Sequence, residues 1–132
     1  MKMKMNKIAF IAAFVALLMT LAACSSAAVE LDAQENGQSV EVASGDKFTI
    51  TLEGNPTTGY SWEVSEFDQA VVELVGEPDY KTDSKMIGSG GVYTFTFKAT
   101  AAGTTNLKLI YHRSWEEDVE PEKVYEVTLN VK

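Results

Sequence analysis

The chain has 132 residues, 45% hydrophobic and 23% charged, with a formal net charge of −8; these near-average proportions exclude collagen-like, coiled-coil and wholly disordered chains. All 19 acidic residues lie after Ala23, and with Lys2, Lys4 and Lys7 set aside the remainder holds 8 basic against 19 acidic side chains, a net charge of −11. A body this acidic repels phosphate, which excludes nucleic acid as a partner.

Residues 1–23 read as a signal peptide. The three lysines precede sixteen residues, Ile8–Ala23, that hold no charge and a single hydroxyl at Thr20. Basic, then apolar, then small is the order of a secretory signal. As a helix the apolar stretch would span about 24 Å, short of the roughly 30 Å hydrocarbon core, so a permanent membrane span is disfavoured. Its end, Leu21-Ala22-Ala23-Cys24, resembles the bacterial lipobox, in which the cysteine thiol is lipidated and the chain is cut immediately before it. Cys24 is therefore the expected lipidation site; the other reading is an ordinary cleavable signal followed by a chance cysteine. No second cysteine exists to form a disulfide with it, and lipidation would consume an otherwise reactive exported thiol. One acyl chain anchors weakly, at about 0.8 kcal/mol per buried CH₂, and further chains make anchoring durable. Residues 24–37 then form the lipidated cysteine and a flexible tether of small polar residues. The expected location is the outward face of a bacterial cell membrane, with Cys24 as the sole contact with lipid.

From Gln38 onward the hydrophobic period is two, not 3.6. Val40 and Val42 come first. Phe48, Ile50 and Leu52 alternate with Lys47, Thr49 and Thr51, and Tyr60, Trp62 and Val64 with Ser61, Glu63 and Ser65. Val71, Val72, Leu74 and Val75 follow. Tyr93, Phe95 and Phe97 share one face of the next run, Leu107, Leu109 and Tyr111 another, and Tyr125, Val127, Leu129 and Val131 the last. About seven or eight short strands over residues 38–132 predict an all-β domain, an antiparallel sandwich or barrel. Parallel βαβ units are excluded because no crossover helix is available. No internal repeat or second domain is visible, and a monomer is expected.

Three loops carry more turn chemistry or exposed bulk than a sandwich needs. In Gly54-Asn55-Pro56-Thr57-Thr58-Gly59, proline fixes its own φ and holds Asn55 extended, while the glycines permit tight ends, so two threonines are displayed on a stiff loop. A plain inter-strand turn reads equally well from this loop alone. Gly88-Ser89-Gly90-Gly91 offers backbone that another surface can approach closely; by itself it reads more simply as a hairpin turn or bulge. It is no phosphate cradle, since no helix and no Lys-Ser/Thr follow. The third stretch, Tyr111-His112-Arg113-Ser114-Trp115-Glu116, places Trp beside Arg as binding anchors do, or else folds Trp115 back as a lid on the core. The acidic run after it, Glu116 to Glu122, reads as a solvated face and lacks the ligand spacing of a calcium loop.

Catalysis finds little support. His112 is the only histidine, which leaves no His cluster for a metal and no Cys/His pair. No Gly-x-Ser-x-Gly elbow accompanies it, and nothing marks two carboxylates as a working pair. No enzyme, no metal and no cofactor are expected.

Taken in order, the three loops resemble the motifs of the chagasin family of cysteine peptidase inhibitors. Its Asn-Pro-Thr-Thr-Gly-aromatic motif is met by Asn55, Pro56, Thr57, Thr58, Gly59 and Tyr60, with Trp62 in the next inward place. Its glycine-rich motif is met by Gly88, Gly90 and Gly91 around Ser89. Its Arg-Pro-Trp motif is met by Arg113 and Trp115, with Ser114 in place of proline. The resemblance covers residues 38–132. It implies an immunoglobulin-like sandwich whose three loops plug the cleft of a papain-like cysteine peptidase, reversibly and without covalent chemistry. Thr57 and Thr58 would then sit over the enzyme's catalytic cysteine and histidine, flanked by Gly88–Gly91 and by Arg113, Ser114 and Trp115. Without the motif proline, Trp115 is expected to be less pre-ordered. The contrasting reading is a non-inhibitory cell-surface module that grips another ligand or protein with the same loops.

Overall fold

The computed structural model describes residues 28–82 and 88–132; the expected signal peptide and the expected lipidation site Cys24 lie outside the described residues. Nine strands are present among them: β1 (Val29–Leu31), β2 (Ser39–Val42), β3 (Lys47–Gly54), β4 (Ser61–Glu66), β5 (Val72–Leu74), β6 (Asp79–Thr82), β7 (Gly91–Ala99), β8 (Gly103–His112) and β9 (Lys123–Val131). They form two sheets, β1-β3-β7-β5 with β6 also on β7, and β2-β9-β8-β4. The arrangement is the expected β-sandwich. Along β7 buried and half-buried residues alternate without a break, as period two requires of a sheet with one face on the core. Phe48, Ile50, Phe95 and Phe97 from one sheet meet Leu107, Leu109, Tyr125, Val127 and Leu129 from the other, and the Phe48 and Phe97 rings stack at 5.3 Å. The buried Thr105 hydroxyl accepts from the Asp68 N–H at 2.8 Å.

Two features depart from the sequence reading. The first is the tether: residues 29–37 belong to the fold. β1 pairs with β3 through Val29↔Phe48 and Leu31↔Ile50, and Leu31 is only 4% exposed. Asp32 caps a 3-10 turn at Ala33–Glu35, its carboxylate accepting from the Gln34 N–H while Glu35 accepts from the Asp32 N–H. The Asn36 amide then completes the edge of β9, donating to the Val124 carbonyl and accepting from the Glu126 N–H. The Tyr125 hydroxyl donates to the Asp32 carbonyl at 2.9 Å; burial first, and then Glu35 and Asp32, push this phenol's pKa upward. The small polar composition that suggested a tether serves here as turn and cap chemistry.

The second is strand direction. The sheets are antiparallel except at two edges, where β1 runs parallel to β3 and β2 parallel to β9. A parallel pair needs a long crossover, and here no helix supplies it: between β1 and β3 the chain passes through β2 in the other sheet.

Pairing registers decide where the loops lie. Gly54 stands opposite Gly91, Ser61 opposite His112 and Tyr111 opposite Lys123. The β3–β4, β6–β7 and β8–β9 connections therefore gather at one pole, while Val29, beside Phe48, begins β1 near the other.

Leu31→Ala tests the revised boundary. Loss of a core leucine is expected to cost about 2–5 kcal/mol in chemical denaturation of residues 28–132; an unchanged unfolding midpoint would return this segment to a tether.

Candidate functional site

The first loop is a capped 3-10 turn at Pro56–Thr58. Asn55 is extended, as its position before proline demands, and its side-chain oxygen accepts from the N–H of Thr57 at 3.1 Å and from the Thr57 hydroxyl. The Thr58 hydroxyl donates to the Asn55 carbonyl at 2.7 Å. Gly59 closes the turn in the left-handed region, φ 86°, with its N–H on the Pro56 carbonyl at 3.0 Å. Local hydrogen bonds thus begin to wind this loop.

Its neighbours then hold it from both sides. The Asn55 amide nitrogen donates to the Gly88 carbonyl at 3.0 Å, joining the second loop to the first. Gly91 sits so close to the Lys81 carbonyl and the Tyr80 ring that a Cβ there would overlap both, which is why glycine is needed where the second loop enters β7. From the third loop the Arg113 Nε donates to the Thr58 carbonyl at 3.3 Å, and its guanidinium lies 4.4 Å above the Tyr60 ring. The first loop is the middle of three, with Gly88, Ser89, Gly90 and Gly91 on its Asn55 side and Arg113, Ser114 and Trp115 on its Gly59 side.

Trp115 does not fold back as a lid. It is 67% exposed, and the edge of its ring rests on Gly59, where an added Cβ would stand 2.5 Å from Cη2. Ser114 and Trp115 are the central residues of a turn closed by the Glu116 N–H on the Arg113 carbonyl at 3.1 Å. An Arg113–Glu116 ion pair at 3.2 Å spans the same turn. Proline would favour the position Ser114 occupies; the hydrogen bond and the ion pair close the turn in its place, so the expected loosening of Trp115 is offset.

Beneath the edge lies an aromatic floor that includes Tyr60 of the first motif. Tyr111 stacks on Tyr60 at 5.4 Å and packs at a tilt against Trp62 at 5.1 Å, the Trp62 indole N–H donates to the Glu53 carbonyl, and Tyr93 packs against Tyr80. Burial, then the neighbouring phenols of Tyr111 and Tyr80, raise the Tyr93 pKa. His112 is paired with Glu63 at 2.6 Å. Nothing in the hydrophobic alternation distinguishes the Tyr111 hydroxyl from an ordinary inward-facing aromatic; its position as the last inward residue before a loop is the only available signal. Among the described residues no group of three or more His, Cys, Asp or Glu side chains is placed to hold a metal ion.

Comparison with known proteins bears on the family and the fold. The profile of the chagasin family of peptidase inhibitors, I42, matches residues 41–129. The chain is 36% identical over 84 residues to chagasin of Trypanosoma cruzi, an overlap of 61% of this chain and 76% of chagasin. It is 29% identical over 107 residues to amoebiasin-1 of Entamoeba histolytica, covering 79% of this chain and 100% of that protein. The crystal structure of the cysteine protease inhibitor EhICP2 of Entamoeba histolytica is similar at a TM-score of 0.70 and 27% identity, over 79% of this chain and 95% of that one.

Gly59→Ala probes the contact between loops. A left-handed φ is expected to cost an alanine about 1–2 kcal/mol, and the added methyl displaces the Trp115 ring. Melting temperature and tryptophan fluorescence should both change; if neither moves, the first and third loops are not in register as described.

Proposed function

This chain belongs to the chagasin family of peptidase inhibitors, and on that premise we propose that it inhibits papain-like cysteine peptidases reversibly, filling their active-site cleft with its three-loop edge. It is an inhibitor and not an enzyme. The observation that carries the reading is the union of the loops: Asn55 bonded to Gly88 on one side, and Thr58 and Gly59 in contact with Arg113 and Trp115 on the other. Such an edge offers a central wedge of Thr57 and Thr58 with a contact surface at each flank. Because the wedge is ordered before it meets a peptidase, little conformational entropy is lost on binding. Three loops side by side suit a cleft contact of the standard interface size, about 1,600 Å². Trp115, exposed beside the wedge, supplies the kind of anchor that dominates binding energy. A Trp115 turned inward as a lid would favour a module with no inhibitory role; Trp115 is exposed.

A lipid anchor at Cys24 and export to the outer face of a bacterial membrane complete the proposal. β1 starts beside Phe48, the end of β3 remote from Gly54. At about 3.3 Å per residue, the length of β3 alone would hold the loops roughly 25 Å beyond that end. Anchoring from this pole leaves the loop edge pointing away from the lipid, where a peptidase can reach it.

Titration of papain with residues 24–132 carrying Cys24→Ser is expected to abolish hydrolysis of a small substrate; full activity at micromolar inhibitor would overturn the proposal. Trp115→Ala should weaken inhibition by about 2 kcal/mol, and an unchanged inhibition constant would remove Trp115 from the interface. In the full-length chain, Cys24→Ser should shift the protein from the membrane to the soluble fraction on cell lysis, whereas retention would contradict lipidation.

A further inference from the structure

Tyr111 is 5% exposed and cannot itself be a large part of a contact surface. Its hydroxyl nevertheless reaches the first loop: it accepts from the Asn55 N–H at 2.9 Å and lies 3.4 Å from the Asn55 carbonyl oxygen. The ring that carries this hydroxyl is held by Tyr60 and Trp62 and by the Lys123 ammonium 5.3 Å from its centre. Its strand is paired on both sides, to Trp62 of β4 and to Lys123 of β9. The hydroxyl is thus aimed by the core at the residue where β3 ends and the wedge begins.

That residue controls the backbone of the wedge. Its carbonyl accepts from the Thr58 N–H and hydroxyl, the Pro56 carbonyl accepts from the Gly59 N–H, and the Thr58 carbonyl accepts from Arg113. To cleave a peptide, a cysteine peptidase needs its carbonyl free to turn into an oxyanion hole, in line with the thiolate. The thiolate adds to that carbon, the amine leaves with a proton, and water then releases the acyl group. In the wound loop, three of the four carbonyls from Asn55 to Thr58 are already engaged. The loop becomes a substrate only in proportion to how often it unwinds.

We propose that Tyr111 is a positioning residue: its hydroxyl pins Asn55 and keeps the 55–59 turn wound, so that the loop stays in a peptidase cleft as a lasting inhibitor and is not cut as a slow substrate. This rests on the reading of the loop edge as the peptidase-binding surface.

Tyr111→Phe keeps the ring and its stacking and removes only the hydroxyl. Tyr125→Phe is the matched control, because it removes another buried hydroxyl bonded to a backbone carbonyl, that of Asp32 in the N-terminal turn. Both are made in residues 24–132 with Cys24→Ser and incubated with papain. Tyr111→Phe is expected to dissociate about tenfold faster and to be cut between Asn55 and Gly59 on prolonged incubation, as read by mass spectrometry. The parent and Tyr125→Phe should remain intact and tightly bound. A parent that fails to inhibit papain overturns the functional reading itself. A parent that inhibits, with Tyr111→Phe equally tight and uncut, overturns only the role of Tyr111; so does equal weakening of both variants, which would mark a loss of general stability. Amide exchange in the parent protein provides a test free of substitutions: the Asn55 N–H should exchange as slowly as the paired amides of β3, and exchange at the rate of an open loop would refute the pin.

Discussion

Each polar group of Asn55 has a partner inside the protein. Its N–H is on Tyr111, its carbonyl takes the N–H and hydroxyl of Thr58, its side-chain oxygen takes the N–H and hydroxyl of Thr57, and its amide nitrogen reaches Gly88. One residue thereby ties the end of β3, the middle of the first loop, the second loop and the end of β8. Aspartate could cap the turn but has no amide hydrogens for Gly88. Pro56 makes the arrangement local as well as tertiary, because the residue before proline is already biased to the extended backbone that Asn55 adopts. The sandwich supplies the other requirement, a common pole, through the Gly54↔Gly91 and Ser61↔His112 pairings.

This organisation explains how a small acidic domain can block a peptidase without chemistry of its own. Binding energy is largely a matter of what is left after ordering costs are met. Those costs are met here during folding: the wedge is wound by its own side chains, the third loop is closed by the Arg113–Glu116 turn and ion pair, and the second loop is held at Gly88. The exposed ion pair adds little stability by itself; its use lies in fixing the turn that presents Trp115. The same internal hydrogen bonds that order the wedge occupy three of the four carbonyls from Asn55 to Thr58, so order and resistance to cleavage share a cause.

The core strands were legible because period two is a direct imprint of a sheet with one wet face, and every inward set read from the sequence, from Phe48 to Val131, includes residues of the buried core. β1 and β6 were not legible. β1 (Val-Glu-Leu) sits beside small polar residues that read as a tether, and β6 (Asp-Tyr-Lys-Thr) has one large apolar residue and owes its place to pairing with β7. Parallel direction at the two edges was equally hidden, since alternation is the same in either direction and the crossover that serves β1 runs through the opposite sheet. At the loop edge, residue type and order singled out the three loops only as a set, since each alone also reads as an ordinary turn or a lid. What they could not reveal were contacts set by three-dimensional register: the hydroxyl of Tyr111 on Asn55, the reach of Asn55 to Gly88, and Trp115 standing outward on Gly59.

The account depends on the three loops forming a single rigid edge before any peptidase arrives. Backbone order parameters from NMR relaxation, measured for residues 55–59, 88–91 and 113–115 in the free domain and again in its complex with papain, test this most directly. Values near about 0.85 in the free domain, matching the core strands and unchanged on binding, are the predicted result. Values below about 0.6 that rise only in the complex would contradict it, since the edge would then be assembled by the peptidase and not by the fold.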